Sequence, residues 1–208
     1  MHLPTHEYSH YVGIDPGFTG AIGMMNLAGT SLRVWDMPVT KGKDDSSRQF
    51  DLGGLRELFK RIRKFPSVAV ALEWPTTRPG EGAERSKRFG VGMGLLEAFC
   101  YLSDLDTFKL PPASWKQRLG LPGKTDPESG PVCLAFYERF YASWRGLLLG
   151  PKGGLRDGRM DSLLLAHFLR DSRPITDTVR RFGKDSPEAA ASILGWGGTR
   201  KKHRLRIR

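Results

Sequence analysis

A run of five apolar residues, Val68–Leu72, constrains the fold of this chain more than any other segment. The run lacks the alternation of apolar and polar residues typical of a half-exposed strand, so it predicts a strand that is covered on both faces. A helical pattern with a basic outer face begins at Asp51 and precedes the run, and a second one follows it after a Pro/Gly-rich loop. A buried strand between helices indicates an α/β layer arrangement.

Three further strand-like runs precede this segment, and short Gly-containing turns join them. They are Tyr11–Ile14, Ala21–Asn26 and Leu32–Met37, and their connections predict an antiparallel meander. A fifth strand is expected at Thr107–Leu110. Helices are expected, in chain order, from Asp51, at 85–102, in a short segment that Ser114 caps, at 131–144 and at 158–169. The predicted fold is therefore α/β, with a mixed five-stranded sheet flanked by helices.

The length of 208 residues suits a single domain with irregular ends. We expect residues 1–9 to be disordered, residues 10–172 to form the domain, and residues 173–208 to form a polar, basic, partly disordered tail. Only Cys100 and Cys133 are present, both within apolar helical patterns, which is typical of a reduced intracellular protein. No secretory or membrane-spanning pattern is apparent, so a cytoplasmic protein is expected, in the host-cell cytoplasm if a phage encodes it.

The formal net charge of +11 indicates a polyanionic partner. Nucleic acid is favoured over a membrane surface, because no basic stretch carries a long apolar helical face. The positive charge is clustered in three places: Lys60, Arg61, Arg63 and Lys64; then Arg85, Lys87 and Arg88; then Arg200, Lys201, Lys202, Arg204, Arg206 and Arg208.

Four acidic residues lie where folding alone does not readily explain them. Asp15 ends the first strand and precedes Pro16, and Glu73 ends the Val68–Leu72 run. Asp157 and Asp161 are four residues apart, so they share one face of a helix. Each acid alone is also explained as a turn cap, a strand-edge residue or a solvated helix residue. Together they predict an oxygen-ligand site for Mg²⁺ or Mn²⁺, of the kind that supports phosphodiester hydrolysis with two metal ions.

Four motifs occur in a suggestive order: Gly13-Ile14-Asp15-Pro16-Gly17, Leu72-Glu73, Trp115-Lys116 and the block 157–164. Over residues 11–170 this set resembles the RuvC-type Holliday-junction resolvases of the RNase H-like superfamily. The last block is more similar to the phage-type and chloroplast-type branch than to typical bacterial members. In those bacterial members the final two metal-site residues are usually three apart, and here they are four apart.

The resemblance implies an RNase H-like fold and a homodimeric crossover junction endodeoxyribonuclease that acts in DNA recombination and repair. Such an enzyme makes symmetric paired nicks in four-way and other branched DNA, and it needs two Mg²⁺ or Mn²⁺ ions but no small-molecule cofactor or membrane. By position, the implied metal ligands and catalytic residues are Asp15, Glu73, Asp157 and Asp161. Lys116, a further catalytic candidate, and Lys124 match basic residues near the scissile phosphate, although each is also explained as a solvated loop charge.

The resemblance also directs attention to the start of the second long helix. The residues expected to contact DNA are Arg85, Lys87, Arg88, Phe89, Lys116 and Lys124. The aromatic wedge that opens the junction in typical bacterial members has no clear counterpart after the strand-ending acid. Phe89 and Trp74 are both candidates for it, and a core role for Phe89 is an equal alternative.

Two other functions remain open from the sequence. The motif 13–17 also resembles the first phosphate loop of actin-like kinases and ATPases, but that fold needs a second phosphate loop and a duplicated domain, which 208 residues do not accommodate. The other alternative is a non-catalytic protein that binds branched DNA. The presence of all four acids argues against it.

Overall fold

The computed structural model describes residues 8–40, 48–75, 82–122 and 129–172. Contacts divide the chain into two units, Met1–Asp171 and Ser172–Arg208. Of the N-terminal segment 1–9 that we expected to be disordered, Tyr8 is buried and donates a hydrogen bond to Asp106, and Ser9 donates one to the Ser67 carbonyl oxygen. Residues 1–7 and the predicted tail 173–208 lie outside the described residues.

The described part of the first unit contains five strands and five α-helices around one mixed sheet. The order of strands across the sheet is β3-β2-β1-β4-β5, with β1, β2 and β3 antiparallel and β1, β4 and β5 parallel. This topology confirms the predicted mixed five-stranded sheet. The elements are β1 (His10–Ile14), β2 (Ala21–Asn26), β3 (Leu32–Asp36), α1 (Leu52–Ile62), β4 (Val68–Glu73), α2 (Ala83–Leu102), β5 (Asp106–Leu110), α3 (Pro112–Arg118), α4 (Ser129–Tyr141), a 3-10 helix (Ala142–Leu148) and α5 (Asp157–Asp171).

Helices α2 and α5 extend one or two residues beyond the predicted 85–102 and 158–169, and α3 and α4 differ from the prediction for identifiable reasons. Helix α3 begins at Pro112, and Ser114 lies inside the helix instead of capping it. Proline is tolerated at the first helical position because the N–H that it lacks has no partner there. Helix α4 spans Ser129–Tyr141, not 131–144, because Tyr141 leaves the helical conformation and the chain continues as a 3-10 helix.

Strand β4 is buried along all of its length, as its composition predicts. One face of the sheet packs against α1 and α2 in a cluster that includes Val12, Val70 and Leu96. Helix α1 starts at the N-cap Asp51, whose carboxylate accepts a hydrogen bond from the Gly54 N–H, and it buries Leu55, Leu58, Phe59 and Ile62. No helix among the described ranges is long and apolar enough to cross a membrane.

Helix α5 covers the opposite face and lies directly on the backbone of β1 and β2. A Cβ atom added at Gly13 would overlap the Ser162 carbonyl oxygen, and one added at Gly23 would lie 2.9 Å from the Leu163 nitrogen. Glycine at these two strand positions therefore permits an approach of helix to sheet that any side chain would prevent. Every residue of α5 from Ser162 to Leu169 is buried, so this part of the helix is covered on all sides.

The start of α5 is fixed to the edge of the sheet by one arginine. Arg159 donates hydrogen bonds to both carboxylate oxygens of Asp36 on β3, at 2.6 and 2.8 Å, and to the carbonyl oxygens of Leu147 and Leu149. The hydrogen bond from Arg159 holds the pKa of Asp36 below its ordinary value. A bidentate pair of this kind fixes direction as well as distance.

We predict that Arg159→Gln lowers the free energy of unfolding at neutral pH by about 1–3 kcal/mol, because the Leu147 and Leu149 carbonyls also lose a donor. Since the folded-state pKa of Asp36 is depressed, its contribution is present at neutral pH and is lost as the pH falls below about 4. In urea unfolding, the difference in free energy of unfolding between the wild type and Arg159→Gln should therefore become smaller as the pH is lowered. Arg145→Gln, which breaks the exposed pair with Glu138, is the control and should cost less than about 1 kcal/mol. A difference in free energy of unfolding that does not change with pH would contradict the stabilising role of the Asp36 carboxylate.

Candidate active site

Two of the predicted acids lie side by side at one end of the sheet. Strands β1 and β4 are parallel neighbours in which Ile14 pairs with Leu72, so Asp15 and Glu73 follow at the same level. Asp15 is half-buried at the start of a tight turn, and the Gly17 N–H lies 3.4 Å from its Oδ1. Glu73 is buried, with 1% of its surface exposed.

The buried Glu73 is held by an indole. Trp115 on α3 is fully buried and its Nε1–H donates a hydrogen bond of 3.2 Å to Glu73 Oε1. Burying a carboxylate is costly without such partners, and a buried indole N–H needs an acceptor. Trp115 entered the sequence analysis only as part of a motif, so this supporting role was missed. The signal available in the sequence was a tryptophan directly before Lys116 and shortly after a predicted strand, since a large indole at such a place can support a neighbouring acid.

Lys116, the next residue, pairs with an acid of α5. Its Nζ lies 2.9 Å from Asp161 Oδ2, and only 6% and 13% of the two side chains are exposed. Burial opposes the positive charge, but the carboxylates of Asp161 and, more weakly, Glu73 outweigh burial, so the pKa of Lys116 lies above its ordinary value. Lys116 is therefore a buried cation among the predicted metal ligands, and the reading of it as a solvated loop charge is wrong.

The fourth acid, Asp157, is exposed in the first turn of α5, one turn before Asp161. Acidic groups are favourable there because the helix N-terminus carries partial positive charge. The same turn rests on the loop that follows Asp15: a Cβ atom added at Gly158 would lie 2.5 Å from the Thr19 carbonyl oxygen. The start of α5 is thus brought to the sheet end that carries Asp15 and Glu73.

Cys133 on α4 also borders this cluster. It is buried, as predicted, and burial raises the pKa of its thiol, with Lys116 opposing the rise and Asp161 and Asp157 adding to it. The sequence analysis placed Cys133 in the core but could not foresee these neighbours. The thiol stays protonated at neutral pH, so it fills space beside the acids and adds no charge.

The structure separates the expected DNA-binding residues. Lys87 is exposed at the start of α2, whereas Arg88 and Phe89 are half-buried and the Phe89 ring packs against the hydrophobic core. Lys124 lies outside the described residues, and so does the side chain of Arg85. The core alternative for Phe89 therefore has direct support.

Trp74, the other wedge candidate, is also held in place. Its ring packs against the core cluster, and its backbone N–H donates a 2.8 Å hydrogen bond to the Leu110 carbonyl oxygen. Lys109 Nζ lies 4.0 Å from the centroid of its ring, a favourable cation–π distance. The side chain of Trp74 remains partly exposed.

The donor set fits a hard divalent cation in chemical type. All four predicted ligands are carboxylates, the oxygen donors that Mg²⁺ and Mn²⁺ prefer. The Lys116 ammonium group already interacts with Asp161 and, more weakly, with Glu73, so one positive charge is stabilised by acids from both α5 and β4. Within the described ranges, however, no three His, Cys, Asp or Glu side chains are grouped closely enough to hold a metal ion.

Comparison with known proteins bears on the fold. No family model matches the sequence, and no curated protein is significantly similar to it in sequence. A structure of Thermus thermophilus RuvC is 18% identical with a TM-score of 0.50, and the match covers 79% of this chain and 97% of that chain. A T. thermophilus RuvC in complex with a Holliday junction substrate is 17% identical with a TM-score of 0.49, over 80% and 96% of the two chains. Together with the mixed sheet and its flanking helices, the similarity to the RuvC structure with the TM-score of 0.50 shows an RNase H-like fold, as predicted.

We predict that Lys116→Met lowers the free energy of unfolding by about 3 kcal/mol in EDTA at neutral pH, because it leaves Asp161 with an uncompensated charge. The double variant Lys116→Met/Asp161→Asn should be more stable than the sum of the two single effects predicts. Urea unfolding of the wild type, the two single variants and the double variant measures this difference. Lys60→Met, which breaks an exposed pair with Glu57, is the control and should cost less than about 1 kcal/mol. Additive effects of the two changes would show that the pair is not coupled.

Proposed function

We propose that this protein is a divalent-metal-dependent endonuclease of the RuvC type that resolves four-way DNA junctions by symmetric paired nicks. The observation that carries the proposal is the juxtaposition of Asp15 and Glu73 at the ends of adjacent parallel strands, with Asp161 joined to the same cluster through Lys116. The RNase H-like fold and the ordered motifs of the sequence support it. The strongly basic composition fits a polyanionic substrate.

In this proposal, two Mg²⁺ or Mn²⁺ ions are held by Asp15, Glu73, Asp157 and Asp161. When bound, such ions polarise the scissile phosphate and favour attack by water. Trp115 fixes the orientation of Glu73 through its indole N–H. Lys116 contributes a positive charge beside Asp161, which reduces the repulsion between the acids and a DNA phosphate. No small-molecule cofactor enters the proposal.

Outside this centre, we propose that basic side chains bind the DNA phosphates. Lys87 is exposed at the start of α2, and Arg88 is half-buried beside it. We include Arg85, Lys124 and the basic tail in the same role, from the sequence alone. Such contacts give affinity and orientation on branched DNA without reading base sequence.

We predict that Asp15→Asn, Glu73→Gln or Asp161→Asn each lowers the nicking rate on a synthetic four-way junction by at least about 100-fold, because each removes the charge of a proposed ligand. Binding to the junction in EDTA should change by less than about threefold, since no cationic phosphate contact is removed. Glu57→Gln, an exposed change of the same type on α1, is the control and should leave nicking unchanged. Nicking at the wild-type rate by Asp15→Asn would defeat the assignment of the site.

The same assay decides between nuclease and non-catalytic binding protein. One observation favours the second candidate: Glu73 and Asp161 are already bonded to Trp115 and Lys116. A wild-type protein that prefers four-way junctions over forks and plain duplex, but nicks none of them with Mg²⁺ or Mn²⁺, would be a binding protein of branched DNA. Paired nicks at symmetric positions would establish the nuclease.

We further propose that the enzyme is a homodimer that associates through α2. Val91, Tyr101 and Leu102 on this helix are 65%, 75% and 75% exposed, which is unusual for large apolar side chains. Gly90 and Gly94 have open space where a Cβ atom would be, whereas the space at Gly92 is taken by Phe50 of the same chain. Two of the three helix glycines thus permit a close approach from outside. Twofold symmetry also matches a four-way junction that is nicked twice.

We predict that Val91→Glu/Leu102→Glu gives a monomer, while the wild type has the mass of a dimer in light scattering at micromolar concentration. The two charges would be buried without partners in the proposed interface, which costs several kcal/mol. Leu52→Glu, which adds a charge at a 56% exposed apolar position on α1, is the control and should remain dimeric. Circular dichroism should show that all three proteins are folded. A monomeric wild type that still makes paired nicks would exclude the dimer.

A further inference from the structure

A groove of about 490 Å³ lies along the free edge of the sheet, away from the acidic cluster. Among the described strands, β3 is the outermost and pairs with β2 alone, so no described strand pairs with its other edge. The groove is lined by Leu32–Trp35 of β3, by Leu147, and by three residues at and just after the end of α1, which are Arg61, Lys64 and Phe65. The groove runs along β3 and reaches the level of Ile14 at Trp35, which pairs with Ile22. It is separated from the acids by its position across the sheet, because Asp15 and Glu73 follow β1 and end β4, and β2 lies between β3 and β1.

Three cations line this groove: Arg33, Arg61 and Lys64. Over the ranges that the structure describes, no carboxylate lies within ion-pair distance of any of them. The nearby acids are engaged elsewhere, because Asp36 binds Arg159 and Glu57 binds Lys60. Three positive charges that converge without an internal counter-ion form a site for an anionic ligand.

Two aromatic side chains complete the lining. Trp35 and Phe65 are partly exposed and pack against the hydrophobic core, so their rings are held by the fold. The Arg33 guanidinium lies 5.5 Å above the centroid of Phe65, and His10 packs on the same ring at 4.1 Å. Aromatic rings and arginine planes are the surfaces on which nucleic-acid bases stack.

We propose that this groove is a second nucleic-acid site, which takes one or two unpaired nucleotides of a DNA strand. A volume of about 490 Å³ is that of a pocket for a small ligand, which suits one or two nucleotides of a single strand and is too small to enclose a duplex. The cations would bind the phosphates, and Trp35 with the Arg33 plane would contact a base. This site is separate from the proposed catalytic centre and does not depend on cleavage. It gives the protein a means of holding a displaced strand or an opened arm.

The test measures binding of the full-length chain to a fluorescein-labelled oligothymidine of about ten nucleotides, by anisotropy in EDTA. The variant Arg33→Gln/Arg61→Gln/Lys64→Gln should bind at least about tenfold more weakly than wild type, and the slope of log K against log salt should fall by about 2, or about 0.7 for each lost contact. The matched control, Arg56→Gln/Arg139→Gln/Lys152→Gln, removes the same charge from exposed positions outside the groove. It should retain most of the affinity and slope.

Two further measurements locate the strand. An oligothymidine carrying iodouracil should crosslink under ultraviolet light to peptides that contain Trp35 or Phe65, and unlabelled oligothymidine should compete. Equal losses in the two triple variants, an equal loss of duplex binding in the groove variant, or crosslinks confined to other peptides would each overturn the proposal. Displacement of the oligomer by thymidine monophosphate at the same nucleotide concentration would overturn it as well, because the groove would then be a mononucleotide pocket.

Discussion

The close packing of α5 on the sheet is the constraint on which the candidate site depends. Gly13 and Gly23 leave no side chain between the helix and the strands, so the backbone around Ser162 lies directly on β1 and β2. Asp161 is the residue before Ser162, and Asp15 is two residues after Gly13. The same contact that buries the apolar face of α5 therefore brings a helix acid to the end of β1. A larger side chain at either glycine would move the helix outward and separate the acids.

Much of the architecture could be predicted because it depends on local patterns. The apolar run of β4 indicates burial on both faces, and the spacing of Leu55, Leu58 and Phe59 indicates one buried helix face. The sequence places Asp15 and Glu73 at the ends of strands, but that β1 and β4 are parallel neighbours is known only from the fold. The start of α3 was misplaced because Ser114 is a good capping residue, while Pro112 fits the first turn equally well.

The bonds within the site could not be predicted, since they join residues that are distant in sequence. Trp115 reaches Glu73 across 42 positions, and Lys116 reaches Asp161 across 45. Both bonds depend on how α3 docks after β5, and no periodicity encodes that docking. The contacts of the glycines of α2 could not be predicted in detail either. Close packing could be expected from their spacing, but only the fold reveals that Gly92 meets Phe50 while Gly90 and Gly94 face open space.

Electrostatics gives the acidic cluster and the outer edge of β3 different properties. In the acidic cluster, Glu73 and Asp161 are largely removed from water, where like charges repel strongly, and Lys116 compensates them internally. At the free edge of β3, the cations of the groove have no internal counter-charge within the described ranges.

An acidic centre repels DNA unless cations offset it, so a protein that brings phosphates to such a centre needs attraction from elsewhere on its surface. The net charge of +11 supplies that attraction, and its long-range part weakens with salt while the buried Lys116–Asp161 pair is screened much less. Salt should accordingly act first on DNA association and much later on the internal arrangement of the acids.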